Sequence, residues 1–310
     1  MKIESKKQKE LSSESAGYKV FYTFLIIFMI LLSCIMIYPY LNVLAKAFNK
    51  GSDTMIGGIT LFPRAPTFQN FLTLFNNELI MNSAMISILR AITGTLLAII
   101  VQFSAAYAMR RKKFKGKNII LIFLMIPMFF GGGLIPVYLL YSKLELLNNF
   151  LVYILPGAFS MYNMVIFRTY LTTIPDSFEE SAKLDGANEI TIMIKILIPL
   201  SKPILATITL WLLVYHWNDW TTSMYFVTKQ KLFTMQYVLM KLLKQYEEIQ
   251  KMIQESIMAG RGVPVGSGQK ATHESIQSAQ IILTTIPIVV TYPFLQKYFI
   301  KGVMIGAIKE

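Results

Sequence analysis

The chain is short of the residues that build catalytic and metal centres. Of its 310 residues one is cysteine and two are histidine, and 17 acidic residues stand against 30 basic ones. A single cysteine excludes an intrachain disulfide, and Cys34 lies inside an apolar run, where it reads as a small buried hydrophobe that says nothing about redox compartment. His216 and His273 lack the spacing of a metal-ligand set. No nucleophile sits beside a base, so no catalytic role is expected. A Gly-x-x-x-x-Gly-Lys-Ser/Thr phosphate loop is also missing. Gly116-Lys117 is followed by Asn118 and has no upstream glycine, so the chain is not expected to bind ATP itself.

Charge is scarce as well. Only 15% of residues are charged and 54% are hydrophobic, whereas a soluble domain carries about 25% charged residues. The apolar residues gather into runs long enough to cross a bilayer core of about 30 Å, which takes roughly 20 helical residues. Six such runs are expected: Val20 to Tyr40, Met81 to Met109, Asn118 to Tyr141, Phe150 to Leu171, Ile196 to Tyr215 and Ala279 to Tyr298. They do not alternate as barrel strands do, and lipid offers the backbone no hydrogen-bond partners, so helices are expected. A cleaved signal peptide is a competing reading of the first run, but the run is too long and no small-residue cleavage pattern ends it.

The formal net charge of +13 is distributed as an orientation signal rather than as a nucleic-acid surface. Lys2, Lys6, Lys7, Lys9 and Lys19 precede the first run, and Arg110 to Lys117 (RRKKFKGK) holds six basic residues and no acid. With six crossings these fall on one side with the segment from Arg168 to Lys195 and with Lys297, Lys301 and Lys309, which makes that side and both termini cytoplasmic. No aromatic stacking platform accompanies the basic loop, so RNA binding is not expected. The organisation is therefore a cytoplasmic tail over residues 1–17 and a transmembrane domain over 18–310. The latter has a cytoplasmic loop at about 172–195 and a long extracytoplasmic segment at about 217–278.

Several connecting segments are legible. The first external loop is punctuated by Gly51, Gly57-Gly58, Pro63 and Pro66, and Asn70-Phe71 lead into a short helix. The third run contains Pro127, Gly131-Gly132-Gly133 and Pro136, so its backbone is not expected to be one uninterrupted helix. After the fifth run, Leu239, Leu242, Tyr246, Ile249, Ile253 and Ile257 recur at steps of three or four, which predicts an amphipathic helix ended by the Gly260 to Gly268 segment.

The most specific feature is a polar hairpin between the fourth and fifth runs. Pro175 opens it, Asp176 or Ser177 is placed to cap a helix, and Glu179 and Glu180 fall in that helix's first turn, where negative charge is favoured. Ser181, Ala182 and Ala187 are small, Asp185 precedes the turn, and Gly186 supplies the geometry that joins two short helices. A second short helix is expected through Glu189, Ile192 and Lys195 before Pro199 and Pro203. These residues allow an ordinary hairpin that covers the bundle, or a docking knuckle on which Glu180 pairs with a basic residue of another protein.

The order Glu180-Ser181-Ala182, three residues, Gly186, nine residues, Ile196-Leu197-Ile198-Pro199 resembles the cytoplasmic loop of ATP-binding-cassette importer permeases, with Ser181 in place of the usual first Ala. Pro199 to Thr207, Trp217-Asn218-Asp219, Tyr292 to Phe299 and Lys301 to Lys309 are similar to the carbohydrate, maltose-permease-type branch. Gly131 to Pro136 resembles its complex-oligosaccharide subgroup. The resemblance implies an all-α type I importer bundle in the bacterial cell membrane. It implies that Glu179, Glu180, Ser181, Ala182, Asp185, Gly186 and Ala187 dock on an ATPase. It also implies a second permease as heterodimer partner, two ATPase subunits that bind ATP and Mg, an extracytoplasmic binding protein and a sugar or oligosaccharide substrate, with further ATPase contact after Lys301.

Sugars are held by aromatic faces and by amide or hydroxyl groups, so Gln102, Tyr138, Asn163, Trp211, Tyr215 and Asn218 are candidates for the translocation path. Arg90 is the main charge within the runs and has no evident acidic partner in the sequence, so it is expected to snorkel or to pair with a neighbouring subunit. An autonomous secondary transporter or channel is the alternative from another class. It requires charged coupling residues within the spans, which are scarce, and leaves the hairpin unexplained. A membrane-embedded enzyme lacks a paired acid and base.

Overall fold

A backbone in lipid can bond only to itself, and the apolar runs accordingly fold as helices. The computed structural model describes residues 16–111, 114–259 and 272–307, and among these the sole β-type pairing is an isolated bridge between Asn49 and Pro66. The chain divides into two compact units, Met1–Leu72 with Val265–Ile282, and Thr73–Pro264 with Leu283–Glu310.

In the first unit, α1 (Ala16–Ala47) is a continuous helix that contains Pro39. Among the described residues its most apolar window is fully unburied. The loop that follows folds around two buried asparagines, with α2 (Gly51–Thr54) and the expected short helix α3 (Gln69–Phe75) at its ends. Asn70 donates to the carbonyls of Ala47 and Asn49, both at 2.8 Å, and Asn49 donates to Asp53 at 2.9 Å while accepting from the Ala65 amide at 2.7 Å. The Asn49 hydrogen bond holds Asp53 below the usual carboxylate range; partial burial opposes this and Arg64 reinforces it. Lys46 and Glu274 pair at 2.8 Å.

The second unit is built on α4 (Glu78–Arg110), whose first amides are capped by Asn77. Its buried face carries Ser83, Ser87, Ala91, Gly94, Ala98 and Ala106, small residues at helical spacing that let neighbouring helices approach closely. Those neighbours are α7 (Met161–Thr172) and α10 (Lys202–Asn218). Gly94 is required: a Cβ there would stand 2.6 Å from the His216 imidazole. Toward the opposite end of α4, Phe103 and Phe167 meet edge to face at 5.4 Å within a core completed by Met164, Leu171, Ile192, Leu197 and Ile208.

The runs translate into spans less simply than the sequence predicts. The third run is two helices, α5 (Lys117–Phe129) and α6 (Leu134–Lys143), bent by 117° at the Gly131–Gly133 break that the glycines foretold. The fourth is not a single helix. Phe150–Tyr153 form a 3-10 turn, the chain runs irregularly past Pro156-Gly157, and α7 begins only after Ser160 accepts from the Asn163 amide. A proline followed by glycine breaks the helix that composition alone favoured. The hairpin contributes α8 (Ser177–Leu184) and α9 (Glu189–Leu200), and α9 meets α10 at 85° across Ser201. Beyond α10 come α11 (Thr221–Phe226), the amphipathic α12 (Met235–Met258), and α13 (His273–Ala307), which contains Pro287 and Pro293.

Leu239 on α12 is buried and Lys244, Glu247, Glu248 and Lys251 are exposed, as the pattern predicts. The Gly260 to Gly268 segment and residues 1–15 lie outside the described residues, and residues 16 and 17 already belong to α1. Among the described residues three helices are long and apolar enough to cross a membrane alone, or up to five crossings if each bent pair counts as one.

Arg90 corrects a second expectation. It is 1% exposed and pairs within the chain, with the carboxylate of Asp219 just past α10. It also donates to the Asp219 carbonyl at 2.8 Å and lies 4.8 Å over the ring of Tyr153. Asp219 in turn accepts from the Thr221 amide at 2.9 Å, so the carboxylate that neutralises Arg90 also starts α11. The partner was not evident because it is 129 residues away and lies outside every apolar run.

Gly94→Ala is predicted to cost about 1–3 kcal/mol, the usual price of overpacking. Thermal unfolding in detergent should show a lower midpoint, partly recovered by adding His216→Ala. An unchanged midpoint would mean that the imidazole does not occupy this slot.

Candidate functional site

The hairpin is assembled by local rules at each step. Asp176 occupies the position before α8 but does not cap it; its carboxylate accepts from Arg110 at 2.8 Å instead. At the far end Gly186 has φ +81°. The Ala187 amide donates to the Ala182 carbonyl at 2.9 Å and the Gly186 amide to Lys183 at 3.0 Å. These two bonds are a Schellman closure, which needs a left-handed residue where Gly186 stands. Ala182 and Ala187, the two ends of that closure, pack on the core. Asn188 then caps α9 by accepting from the Thr191 amide at 2.8 Å, and a π-turn over Met193–Leu197 carries the chain to Pro199.

Two arginines at the end of α4 clasp this hairpin. Arg110, with a side chain only 7% exposed, pairs with Glu179 and donates to the Ile174 carbonyl at 2.7 Å. Arg111 pairs with Glu189, whose carboxylate also accepts from the Tyr107 hydroxyl at 2.6 Å. Arg111 reaches that hydroxyl at 2.8 Å and lies 5.0 Å over the Tyr107 ring. The carboxylates of the hairpin thus divide into two sets. Glu179 and Glu189 are engaged internally, whereas Glu180 and Asp185 are exposed and make no ion pair among the described residues. Glu180 borders a cavity of about 440 Å³ with Arg110, Arg111, Asp176 and Lys183. Ser181 and Ala182 border a second depression of about 310 Å³ with Phe178, Asp185 and Ile196. Leu184 at the tip is 91% exposed.

The clasp was not legible in the sequence because Arg110 and Arg111 read there as part of a basic orientation signal. The one available signal was that a basic pair ends one long apolar run while an acidic helix follows a later one.

Three of the six candidates for the translocation path come together. Asn163, Trp211 and Tyr215 border one cavity of about 360 Å³ with Pro156, Gly157, Phe159, Ser160 and Leu212. Tyr162 stacks near Trp211 at 6.4 Å. Gln102 lies behind this wall, fully buried, donating to the Ala158 carbonyl at 3.2 Å. Tyr138 is stacked with Phe226 at 6.2 Å, and Asn218 accepts from Gln236 at 3.3 Å. These three do not border the cavity.

A bundle of apolar helices that presents a clasped polar hairpin and borders an uncharged, partly open cavity is the arrangement of a membrane transport component. The chain belongs to the family described as the binding-protein-dependent transport system inner membrane component, whose model matches residues 94–305. It is 30% identical over 282 residues to the polygalacturonan/rhamnogalacturonan transport system permease protein YtcP of Bacillus subtilis, covering 91% of this chain and 96% of that one. It is 29% identical over 286 residues to the arabinooligosaccharides transport system permease protein AraQ of Halalkalibacterium halodurans, covering 89% and 92%. Among solved structures, a chain of a bacterial ABC transporter involved in import of the acidic polysaccharide alginate matches with a TM-score of 0.81 and 26% identity, over 92% of this chain and 99% of that one. The resemblance carried by Glu180 to Pro199 is borne out at the level of family.

Gly186→Val is predicted to cost about 1–3 kcal/mol by forcing a branched residue into the left-handed region. Limited proteolysis should show faster cleavage near the turn, with Gly186→Asn much less affected. Equal cleavage in both variants would contradict the closure described.

Proposed function

We propose that the chain is one permease subunit of a bacterial ATP-binding-cassette importer for an oligosaccharide. It crosses the cell membrane six times with both termini in the cytoplasm, and the irregular Phe150 to Leu171 segment supplies the fourth crossing with help from its neighbours. It pairs with a second permease subunit, docks on two ATPase subunits that bind ATP and Mg, and receives its substrate from an extracytoplasmic binding protein. The relatives named above, with carbohydrates in their names, support the substrate class.

The observation that carries this reading is the division of the hairpin's carboxylates. Glu179 and Glu189 fix the knuckle to α4, and Glu180 and Asp185 remain exposed beside Ser181, Leu184 and Gly186. A partner's basic group can therefore pair with Glu180 without dismantling the clasp, and the small residues let its surface come close. When the ATPases close on ATP they displace the knuckle, and the clasp passes the displacement to α4. Because α4 packs along α7 and α10, the walls of the Asn163–Trp211–Tyr215 cavity move with it, a rigid-body change of access. Trp211 and Tyr215 offer ring faces to a sugar, and Asn163 and Ser160 offer hydrogen bonds. Arg90 is neutralised by Asp219 inside the chain, which leaves no unpaired charge there to couple ions and fits a subunit driven from outside.

Glu180→Lys is predicted to weaken ATPase association roughly tenfold or more, since a charge-assisted hydrogen bond is worth about 1.5–3 kcal/mol and here becomes a repulsion. Co-purification of the ATPase and sugar-stimulated ATP hydrolysis should both fall while the melting midpoint of the permease is unchanged. Full retention of both would remove the hairpin from the coupling role.

A further inference from the structure

The first external loop keeps large apolar side chains out of its own core. Ile56 is 77% exposed, Phe62 80% and Met55 64%. This is not slack structure. The backbone between them is tied at three points: Asn42 of α1 donates to the carbonyls of Ile59 and Thr60 at 2.7 and 2.9 Å, and Arg64 donates to the Gly57 carbonyl at 2.7 Å. Gly57 and Gly58, with φ +78° and +76°, turn the chain sharply between Ile56 and Ile59. A loop so constrained holds its apolar tips in fixed positions.

Their level relative to the bilayer follows from α1, which belongs to the same unit. The bare apolar column of α1 ends at Leu41, and the loop's backbone docks on the next residue, Asn42. From Val20 to Leu41 the helix spans about 33 Å at 1.5 Å per residue, close to the hydrocarbon thickness of about 30 Å. Tyr38 and Tyr40, both exposed, stand in the last turn of that column, where interfacial aromatics belong. The tips therefore lie at the boundary between acyl chains and headgroups. The charge pattern agrees. Between Phe48 and Asn77 the ionisable residues are Lys50, Asp53 and Arg64; Asp53 and Arg64 pair at 3.1 Å, and the exposed Lys50 lies outside the 55–62 stretch that carries the apolar tips, so no unpaired charge stands among them.

We propose that this loop is a lipid anchor, with Met55, Ile56 and Phe62 inserted into the outer-leaflet interface beside α1. Burial of such side chains in the interface holds α1 at a fixed depth, and the loop's internal hydrogen bonds mean that little ordering is needed on insertion. The inference needs α1 to cross the bilayer and is independent of which solute is carried.

The test places a nitroxide label at Phe62→Cys, and separately at Ile56→Cys, in a Cys34→Ala background of the full transporter in lipid nanodiscs. A label at Ile26→Cys inside α1 sets the lipid-phase reference. Collision with oxygen should exceed collision with a water-soluble nickel chelate several-fold at both loop positions, at a depth shallower than Ile26. Free access of the nickel chelate would overturn the proposal in favour of a water-exposed loop. Shielding from both reagents would overturn it in favour of a protein partner, either the second permease or the binding protein.

Discussion

The guanidinium of Arg110 is the interaction on which the mechanical reading depends. It ends the longest helix of its unit, yet its side chain is 7% exposed and its partner Glu179 only 13%. Removing one member of a buried ion pair strands the other and costs about 3–5 kcal/mol. The surrounding contacts cannot replace it. Asp176 is 59% exposed, and Lys183 and Glu189 meet at 3.7 Å with both side chains about half exposed; pairs of that type contribute about 0–1 kcal/mol. This buried pair is thus the strongest ionic tie between the hairpin and α4, beside the Arg111–Glu189 pair and the seating of Ile192 and Leu197 in the shared core.

The same helix is fixed a second time, through Arg90 and Asp219. Between the two arginines its buried face includes the small residues Ala91, Gly94, Ala98 and Ala106, which give close contact with α7 and α10, and the larger Phe103, Tyr107 and Met109 toward Arg110. A helix anchored at mid-length and at its last residue, and closely packed between them, transmits displacement along that half instead of absorbing it. The interruptions of helix lie elsewhere: the Gly131–Gly133 break, the irregular stretch past Pro156, and Ser201 between α9 and α10. Stiff transmission along α4 and compliance in the flanking segments are what alternating access by rigid bodies requires.

Local chemistry was legible in the sequence, and long-range pairing was not. The hairpin's small residues, its glycine turn, the amphipathic α12 and the Gly131–Gly133 break each follow from neighbours within a few positions, and each was found where the pattern placed it. Hydropathy overstated the fourth run, since a count of apolar residues does not weigh Pro156-Gly157 against helix formation. The partners of Arg90, Arg110 and Arg111 were hidden because opposite charges meet only after distant helices pack. Gln102 and Tyr138 carry the chemistry of a sugar path, but burial directs the first to a backbone carbonyl and stacking directs the second to Phe226.

The central claim is that the buried Arg110–Glu179 pair makes one moving body of the docking hairpin and α4. A charge-exchange cycle measured as sugar uptake per ATP hydrolysed in reconstituted vesicles tests it most directly. Arg110→Glu and Glu179→Arg alone should each leave hydrolysis running with little uptake, and the two together should restore much of the coupling. Single variants that remain fully coupled, or a double variant as uncoupled as either single, would contradict it.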